Sequence, residues 1–566
     1  MGDRLIDSSS SSPCSFFGRV QAINVRLDLP PLQPSLTENF RRNHFDIEMR
    51  PFRRSRPRDK ITCVSSLLLI LVVLVDALSI RSTTRQSTQT IDMSSRHPLQ
   101  LTRTQLNANV DSQSERNAEE KFSDKVYFKL NPSMSSIPQK DWDICLGPES
   151  SPFVEHAWLR CLEESNCVSP ETGWVPQHVS IEIEGKPSGY VPLYLKAHSM
   201  GEFIFDSGWA DAAQSNGIEY YPKLLVGVPF TPATGERILL HPRVRETYSE
   251  AQIAALRKLV AAFLVQVARS NNISSVHVNF LTDDEAADIA GDLRIQDRSP
   301  SSKKKEDSLV DKMQSMLKQF QSDGDKFLRR TSLQYHWTNS NSLNSGKPYE
   351  SFDDYLSCFK SKRRITIRRE RNSVQEDENI VVDAIVGKDI LKHDGLVERM
   401  FEIYLSTVDK MIWGRQYLTL EFFQLLAKSE FIDNLCFMCA RSRSGGKTLT
   451  SADDVFAGTF NIVKNKVFYG RYWGCLFEVK NLHFETCYWS AIDFCIRNGL
   501  KRMEPGAGGG DYKWARGFDP ALIHSVHYVC HPGLRRAISQ FLENETESNV
   551  EMTKFLLQRS VVGSGK

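Results

Sequence analysis

The chain has 566 residues, 40% of them apolar, with 71 Lys and Arg against 69 Asp and Glu and a formal net charge of +2. That length exceeds what one hydrophobic core organises, so two structured units with tails are expected, and near-neutrality excludes a whole-chain attraction to nucleic acid, leaving any basic function to a local patch. Twelve cysteines stand mostly in apolar strand-like or helix-like settings, which fits a reduced compartment rather than a disulfide framework; Cys436-x-x-Cys439 has no second ligand pair at zinc spacing, so no metal site is expected.

Residues 1–140 read as a disordered targeting region. ITCVSSLLLILVVLV at 61–75 is short for a membrane span but suits a signal core, and it follows the basic run Arg50–Lys60. Started at Met49 it is an ordinary secretory signal; started at Met1 it is a signal anchor. The next segment is rich in Ser, Thr and Arg and nearly free of acids, as transit peptides are. Signal plus transit segment reads as a plastid address, with a membrane-anchored or secreted protein on a disordered stalk as the alternative. Either way the N-terminal segment is expected to engage a membrane or targeting machinery.

The globular texture begins near Phe153 and runs through the same order of elements twice. Expected in the first half are a helix over FVEHAWLRCLEES, a hairpin from HVSIEIEG and YVPLYLK, a helix at 250–270, and strands at 274–280 and 332–337. A polar, lysine-rich insertion occupies 291–325. The second half repeats helices (about 352–376, 396–408, 419–428), strands (380–386, FIDNLCFMCA, VFAGTFNIV, KVFYGRYW), a helix at 482–499, a strand ALIHSVHYVC and a terminal helix from Gly533. This order predicts a tandem α+β protein, with domain 1 at 141–345, domain 2 at 346–548 and a tail at 549–566.

Three stretches could carry chemistry. YGRYWGCLFEVKNLHFETCYW at 469–489 joins the rings of Tyr472 and Trp473 and the cation Arg471 to Gly474, ahead of a helix N-terminus near Asn481 that would attract an anion. His483 and Glu485 open that helix two residues apart, so one lines a site while the other supports it, unless Glu485 is a buried partner of Arg471. EPGAGGGDYKWARGF at 504–518 offers Glu504, a glycine-rich loop and the cations Lys513 and Arg516 for a phosphate or carboxylate; no GK[ST] ends it, so it is not a nucleotide-hydrolysing loop. KSKRRITIRRERN at 360–372 presents Arg364, Arg368 and Arg369 on a basic helix that either follows nucleic-acid phosphates or is a solvated face. Upstream, His336 and Trp337 end a strand facing the junction of the halves and are expected to bind substrate. The long aromatic, glycine-rich segment 196–239 is a binding loop or a structured interface. No GxSxG, HExxH or dinucleotide fingerprint occurs.

KAHSMGEFIFDSGWADA, YYPKLLVGVPFTPATG, FLRRTSLQYHW, KRRITIRRER, WGRQYLT, YGRYWGC, LHFETCYW, MEPGAGG, KWARGF and HPGLRRAISQFL closely resemble the FemAB-like, peptidoglycan-biosynthesis-type branch of the acyl-CoA N-acyltransferase (GNAT) superfamily, from about Pro152 to Glu545. The resemblance implies two tandem GNAT-like domains and an N-acyltransferase moving an acyl or aminoacyl group from acyl-CoA or aminoacyl-tRNA, neither held as a tight cofactor, to an amine acceptor. A non-catalytic module of the same fold, binding a peptide, glycan or tRNA, is the alternative. The GNAT pyrophosphate signature R/Q-x-x-G-x-G/A is matched only in part, because Leu476 replaces the small final residue; this favours a donor other than acetyl-CoA. YKWARGF resembles the YKFKxGF segment of Fem proteins, which makes Lys513 the donor-phosphate residue. On this basis Glu485 or His483 accepts or steers the amine proton, and Arg471 with Tyr472 serves the oxyanion or donor.

Overall fold

The computed structural model describes residues 126–291, 326–410, 415–443, 446 and 448–562. The hydrophobic segment 61–75, the rest of the targeting region up to residue 125, and the insertion from 292 to 325 lie outside them. The folded chain begins earlier than the sequence suggests. β1 (Val126–Asn131) pairs antiparallel with β3, and Trp142 is fully buried, so residues 126–140 belong to the fold.

The first half contributes β2 (Trp174–Pro176), β3 (His178–Ile183), β4 (Lys186–Val191), β5 (Leu193–Lys196), β6 (Lys223–Val226), β7 (Leu239–Leu240), β8 (Ser275–Leu281) and β9 (Leu328–Thr338), with helices α1 (His156–Glu164), α2 (Ser207–Ser215) and α3 (Glu250–Ser270). The second half contributes β10 (Ile380–Val386), β11 (Leu435–Ser442), β12 (Val455–Lys464), β13 (Val467–Cys475), β14 (Arg502–Glu504) and β15 (Asp519–Val529). Its helices are α4 (Phe352–Ser357), α5 (Ser361–Asn372), α6 (Leu396–Lys410), α7 (Leu420–Lys428), α8 (482–497), α9 (Gly510–Trp514) and α10 (Pro532–Leu557). Local chemistry sets several ends. Ser249 and Gln252 form a reciprocal capping box at the start of α3, and Ser351 and Thr419 cap α4 and α7. α3 is long and apolar enough to cross a membrane, yet its apolar face is buried in the core.

Each half repeats one unit. In the first, β5 and β6 are antiparallel, α3 crosses over, and β8 lies parallel to β6; in the second, β12 and β13 are antiparallel, α8 crosses over, and β14 lies parallel to β13. The units share one eleven-stranded sheet in the order β10-β11-β12-β13-β14-β9-β15-β8-β6-β5-β2, beside a small β1-β3-β4-β7 sheet. The sheet runs unbroken through the expected 345/346 boundary, because β9 is hydrogen-bonded between β14 and β15, and β15 from the C-terminal end completes the first-half sheet against β8. The core crosses too: Trp158 on α1 packs on Phe422 and Phe431, and Phe153 on Tyr469. Nor is 549–557 a tail. It is the end of α10, where Asn549 Nδ2 donates to the Thr331 carbonyl at 2.9 Å and Thr553 is buried.

Candidate functional site

The site opens where two parallel strands part. β13 and β14 are paired only from Val467↔Arg502 to Tyr469↔Glu504. β13 then runs on, while the other chain turns away at Pro505. A register shift on β12 pairs Phe460 with Tyr472 and Asn461 with Gly470, leaving Arg471 as the extra residue of a β-bulge. Bulges re-aim side chains and are common beside active sites. Between the parted strands lies a cleft of about 370 Å³ lined by Arg471, Tyr472, Trp473, Pro505, Gly506 and Ala507, by Tyr404, Thr407 and Val408 of α6, by Arg415 and Tyr417, and by Phe203 and Pro232 from the first half. The corresponding parting of β6 from β8 is filled. There the buried Arg237 guanidinium donates to the carbonyls of Asn279, Ala233, Gly235 and Glu236 at 2.7–3.2 Å, closing the gap with its own loop.

Arg471, Tyr472 and Trp473 are therefore brought together. Arg471 Nη2 donates to the Phe230 carbonyl, and its guanidinium lies 5.3 Å from the Phe153 ring and 5.5 Å from that of Tyr472. Burial lowers the Arg471 pKa and raises that of Tyr472, which stays a protonated hydrogen-bond donor. Gly474 does not cradle a phosphate. Arg471-x-x-Gly474 is extended strand rather than a turn before a helix, and a Cβ at 474 would stand 1.7 Å from the Ile403 carbonyl oxygen of α6. The glycine is there because a helix backbone crosses it.

The glycine-rich loop forms the opposite lip. Gly506, Gly508 and Gly509 take φ of 82°, 74° and 67°, a path that side chains resist. Beneath it the buried Lys513 Nζ donates to the Gly506 carbonyl at 2.6 Å, and burial draws its pKa down to about 8. Lys513 thus brings a cation to the back of the loop that lines the cleft. Arg516 is elsewhere engaged: it pairs with Glu370 of α5 at 3.3 Å and stacks 3.5 Å over Phe484. Glu504, at the end of β14, pairs with Arg502 at 2.9 Å, while its Oε2 is buried without a hydrogen-bond partner. His336 on β9 has its pKa lowered by burial, against the pull of Glu504. Trp337 is 1% exposed and packs on Tyr349 and Tyr355 in the core, which gives it no surface to offer a substrate.

His483 and Glu485 lie behind the cleft, not on it. The His483 ring meets Trp473 edge-on at 5.4 Å, and burial, helped by Arg516 and Lys513, draws its pKa down to about 4, so it is neutral. Glu485 is fully buried and accepts from Arg371, Gln375 and Ser490 at 2.8–3.2 Å. Its ion-pair partner is Arg371, not Arg471. It joins two π-helical turns, Ser373–Asp377 and Glu485–Trp489, and its oxygens are already occupied. On the basic helix, Arg364 caps the end of α4 through the Phe359 carbonyl, Arg368 makes an exposed pair with Asp353, and Arg369 is exposed. None of the three lines the cleft.

The first-half wall of the cleft is a set of residues that sequence reasoning did not single out as a site. Lys223 on β6 is fully buried and donates to Ser199, Glu202 and Asp206 at 2.6–2.9 Å, three bonds to one loop. That loop carries Phe203, and burial lifts the pKa of Glu202 to about 7 against the pull of Lys223. The aromatic, glycine-rich texture of 196–239 was the signal. Tyr404 had no comparable local signal, since it reaches the cleft through the packing of α6, whereas Arg415 and Tyr417 belong to the family-like segment WGRQYLT, whose place at the cleft no local pattern recorded.

With parted parallel strands in each half, the fold is α+β and made of two tandem units of one topology. The family model for FemAB-like proteins, described as peptidoglycan biosynthesis/recognition, matches residues 133–561, and the chain belongs to that family. Among solved structures it is similar to FemX, with 10% identity over 71% of this chain and 98% of that one at a TM-score of 0.39. It is also similar to a tandem GNAT protein from the clavulanic acid biosynthesis pathway, with 10% identity, 72% and 99% coverage and a TM-score of 0.32. A third similarity is to L-PGS from Bacillus licheniformis, with 8% identity, 48% and 72% coverage and a TM-score of 0.29. No curated protein matches the chain.

Proposed function

We propose that this protein is an N-acyltransferase that moves an acyl or aminoacyl group to an amine acceptor. The observation that carries the reading is the open parting of β13 and β14, with a cleft bounded by a bulged strand on one side and a cation-backed glycine loop on the other. Acyl transfer needs a carbonyl held against donors, a neutral amine at attack distance, and stabilisation of the charge that leaves. Tyr472 and Arg471 supply donors at the bulge. Lys513, protonated below about pH 8, supports the loop where the leaving group's negative charge would collect. The amine attacks the carbonyl carbon, the bond to the donor's oxygen or sulfur breaks, and the amine's surplus proton is returned to that leaving atom or to water. Leu476 and the extended path of Arg471–Gly474 support aminoacyl-tRNA over acetyl-CoA as the donor.

The test incubates the full-length protein with charged tRNA or with acyl-CoA donors and an amine-bearing peptide acceptor, and reads the acceptor's mass. A reproducible increase equal to the acyl group is expected; binding without turnover under every donor would make the protein a recognition module instead. The plastid address read from residues 1–140 is a separate proposal. A C-terminal fluorescent fusion should collect in plastids, and retention in the secretory pathway or at its membranes would overturn it.

A further inference from the structure

Among the described residues, the charged side chains that line the cleft are of one sign. Several buried or half-buried arginines elsewhere are paired with carboxylates: Arg330 with Glu545 at 2.7 Å, Arg371 with Glu485 at 3.1 Å, Arg441 with Asp383 at 2.6 Å and Arg516 with Glu370 at 3.3 Å. Arg237 and the half-buried Arg364 donate to backbone carbonyls instead. At the cleft the pattern changes. Arg471 donates to the Phe230 carbonyl, is hydrogen-bonded to Tyr472 and lies beside two rings, and its buried Nε has no hydrogen-bond partner. Arg415 lines the mouth, and Lys513 stands behind the loop with carbonyls as its hydrogen-bond partners. None of the described residues lining the cleft is acidic. Glu504, whose field reaches Arg471, is paired with Arg502.

A half-buried guanidinium without a carboxylate partner is stabilised by a ligand that brings the missing charge. We propose that the cleft is an anion-selecting subsite in which Arg471 and Arg415 receive a carboxylate or phosphate of the ligand, held among the rings of Phe203, Tyr417 and Tyr472. A cationic group, such as a lysyl or arginyl side chain, is excluded from it by the same field. This rests on the acyl-transfer reading only in making the bound group part of a donor or acceptor; the charge preference itself stands on the residues.

Binding therefore tests it without any reaction. Three probes with one ring and one chain length, 4-phenylbutyrate, 4-phenylbutanamide and 4-phenylbutylamine, differ only in the charge of the end group and can be titrated calorimetrically into the full-length protein. The acid should bind about tenfold or more tighter than the amide, a difference of about 1.4 kcal/mol, and the amine should bind more weakly than both. A phosphonate in place of the carboxylate distinguishes the two anion sources: tighter binding of the phosphonate assigns a phosphate subsite, tighter binding of the carboxylate a carboxyl subsite. Arg415→Gln should remove most of the acid's advantage, and Arg415→Glu should transfer it to the amine. Because Arg471 also holds the Phe230 carbonyl and its variants can fail to fold, the Arg415 pair carries the decision. Equal affinities for the three probes, or an acid affinity unchanged in Arg415→Gln, overturns the subsite. Absence of acyl transfer with every donor would remove the enzymatic reading and leave these binding results standing.

Discussion

Gly474 and Lys513 show how single residues shape the cleft. At 474 there is no room for a methyl group, because the Ile403 carbonyl of α6 occupies its place. Gly474→Ala should therefore destabilise the protein by about 3 kcal/mol, the upper end of overpacking costs, since backbone must move. A urea midpoint unchanged from the wild type would show that α6 is not pressed on β13. Lys513 makes a prediction of a different kind. Its pKa is depressed to about 8, so it loses its proton as pH rises through that value, well before an exposed lysine would. If its charge serves the transfer step, turnover should fall above pH 8 with a single-proton slope, and Lys513→Arg, which keeps its charge, should flatten that limb. A rate that stays level to pH 10 in the wild type would detach Lys513 from the chemistry.

At the scale of elements, Glu485, the carboxylate that the sequence assigned to catalysis, ties α5 to α8. Glu485 receives Arg371 and Gln375 from one π-helical region and Ser490 from the other, so it clamps two irregular helices side by side. Replacing it leaves Arg371, half-buried over the Phe352 ring, without its counter-charge. Glu485→Gln is expected to lower stability by about 3 kcal/mol, as breaking buried pairs does, and any loss of activity should follow the loss of folded protein. Full stability with abolished transfer would return Glu485 to the catalytic group. The π-helical turns were invisible in sequence because the i+3 and i+4 spacing of apolar residues through 482–499 fits a regular helix. The parting of β13 from β14 was equally hidden, since it depends on where two strands stop pairing whose partners, such as Val467 and Arg502, are far apart in the chain.

For the whole molecule, the histidines set the response to acid. Burial is the leading cause that draws His198 and His483 down to about 4 and His277 to about 3, whereas in the unfolded chain each returns to about 6.5. Below that value the unfolded state binds protons the folded state refuses. Stability should fall from pH 6.5 downward until the folded pKa values are passed, with a slope of up to about 4 kcal/mol per pH unit where all three differ. A urea midpoint constant from pH 7 to 5 would show that these rings are charged in the fold. The sequence by itself determined the tandem α+β order, the main strands and helices, the family resemblance and the two segments, 469–474 and 504–513, that flank the cleft. It could do so because periodicity, glycine and ring content are local properties. Tertiary structure alone decided that one sheet runs through both halves, that Arg237 fills one strand parting while the other stays open, that Arg371 takes Glu485, and that no described acidic residue joins Arg415 and Arg471 in lining the cleft. Each of these depends on which distant side chains arrive at the same place, and no local pattern records that.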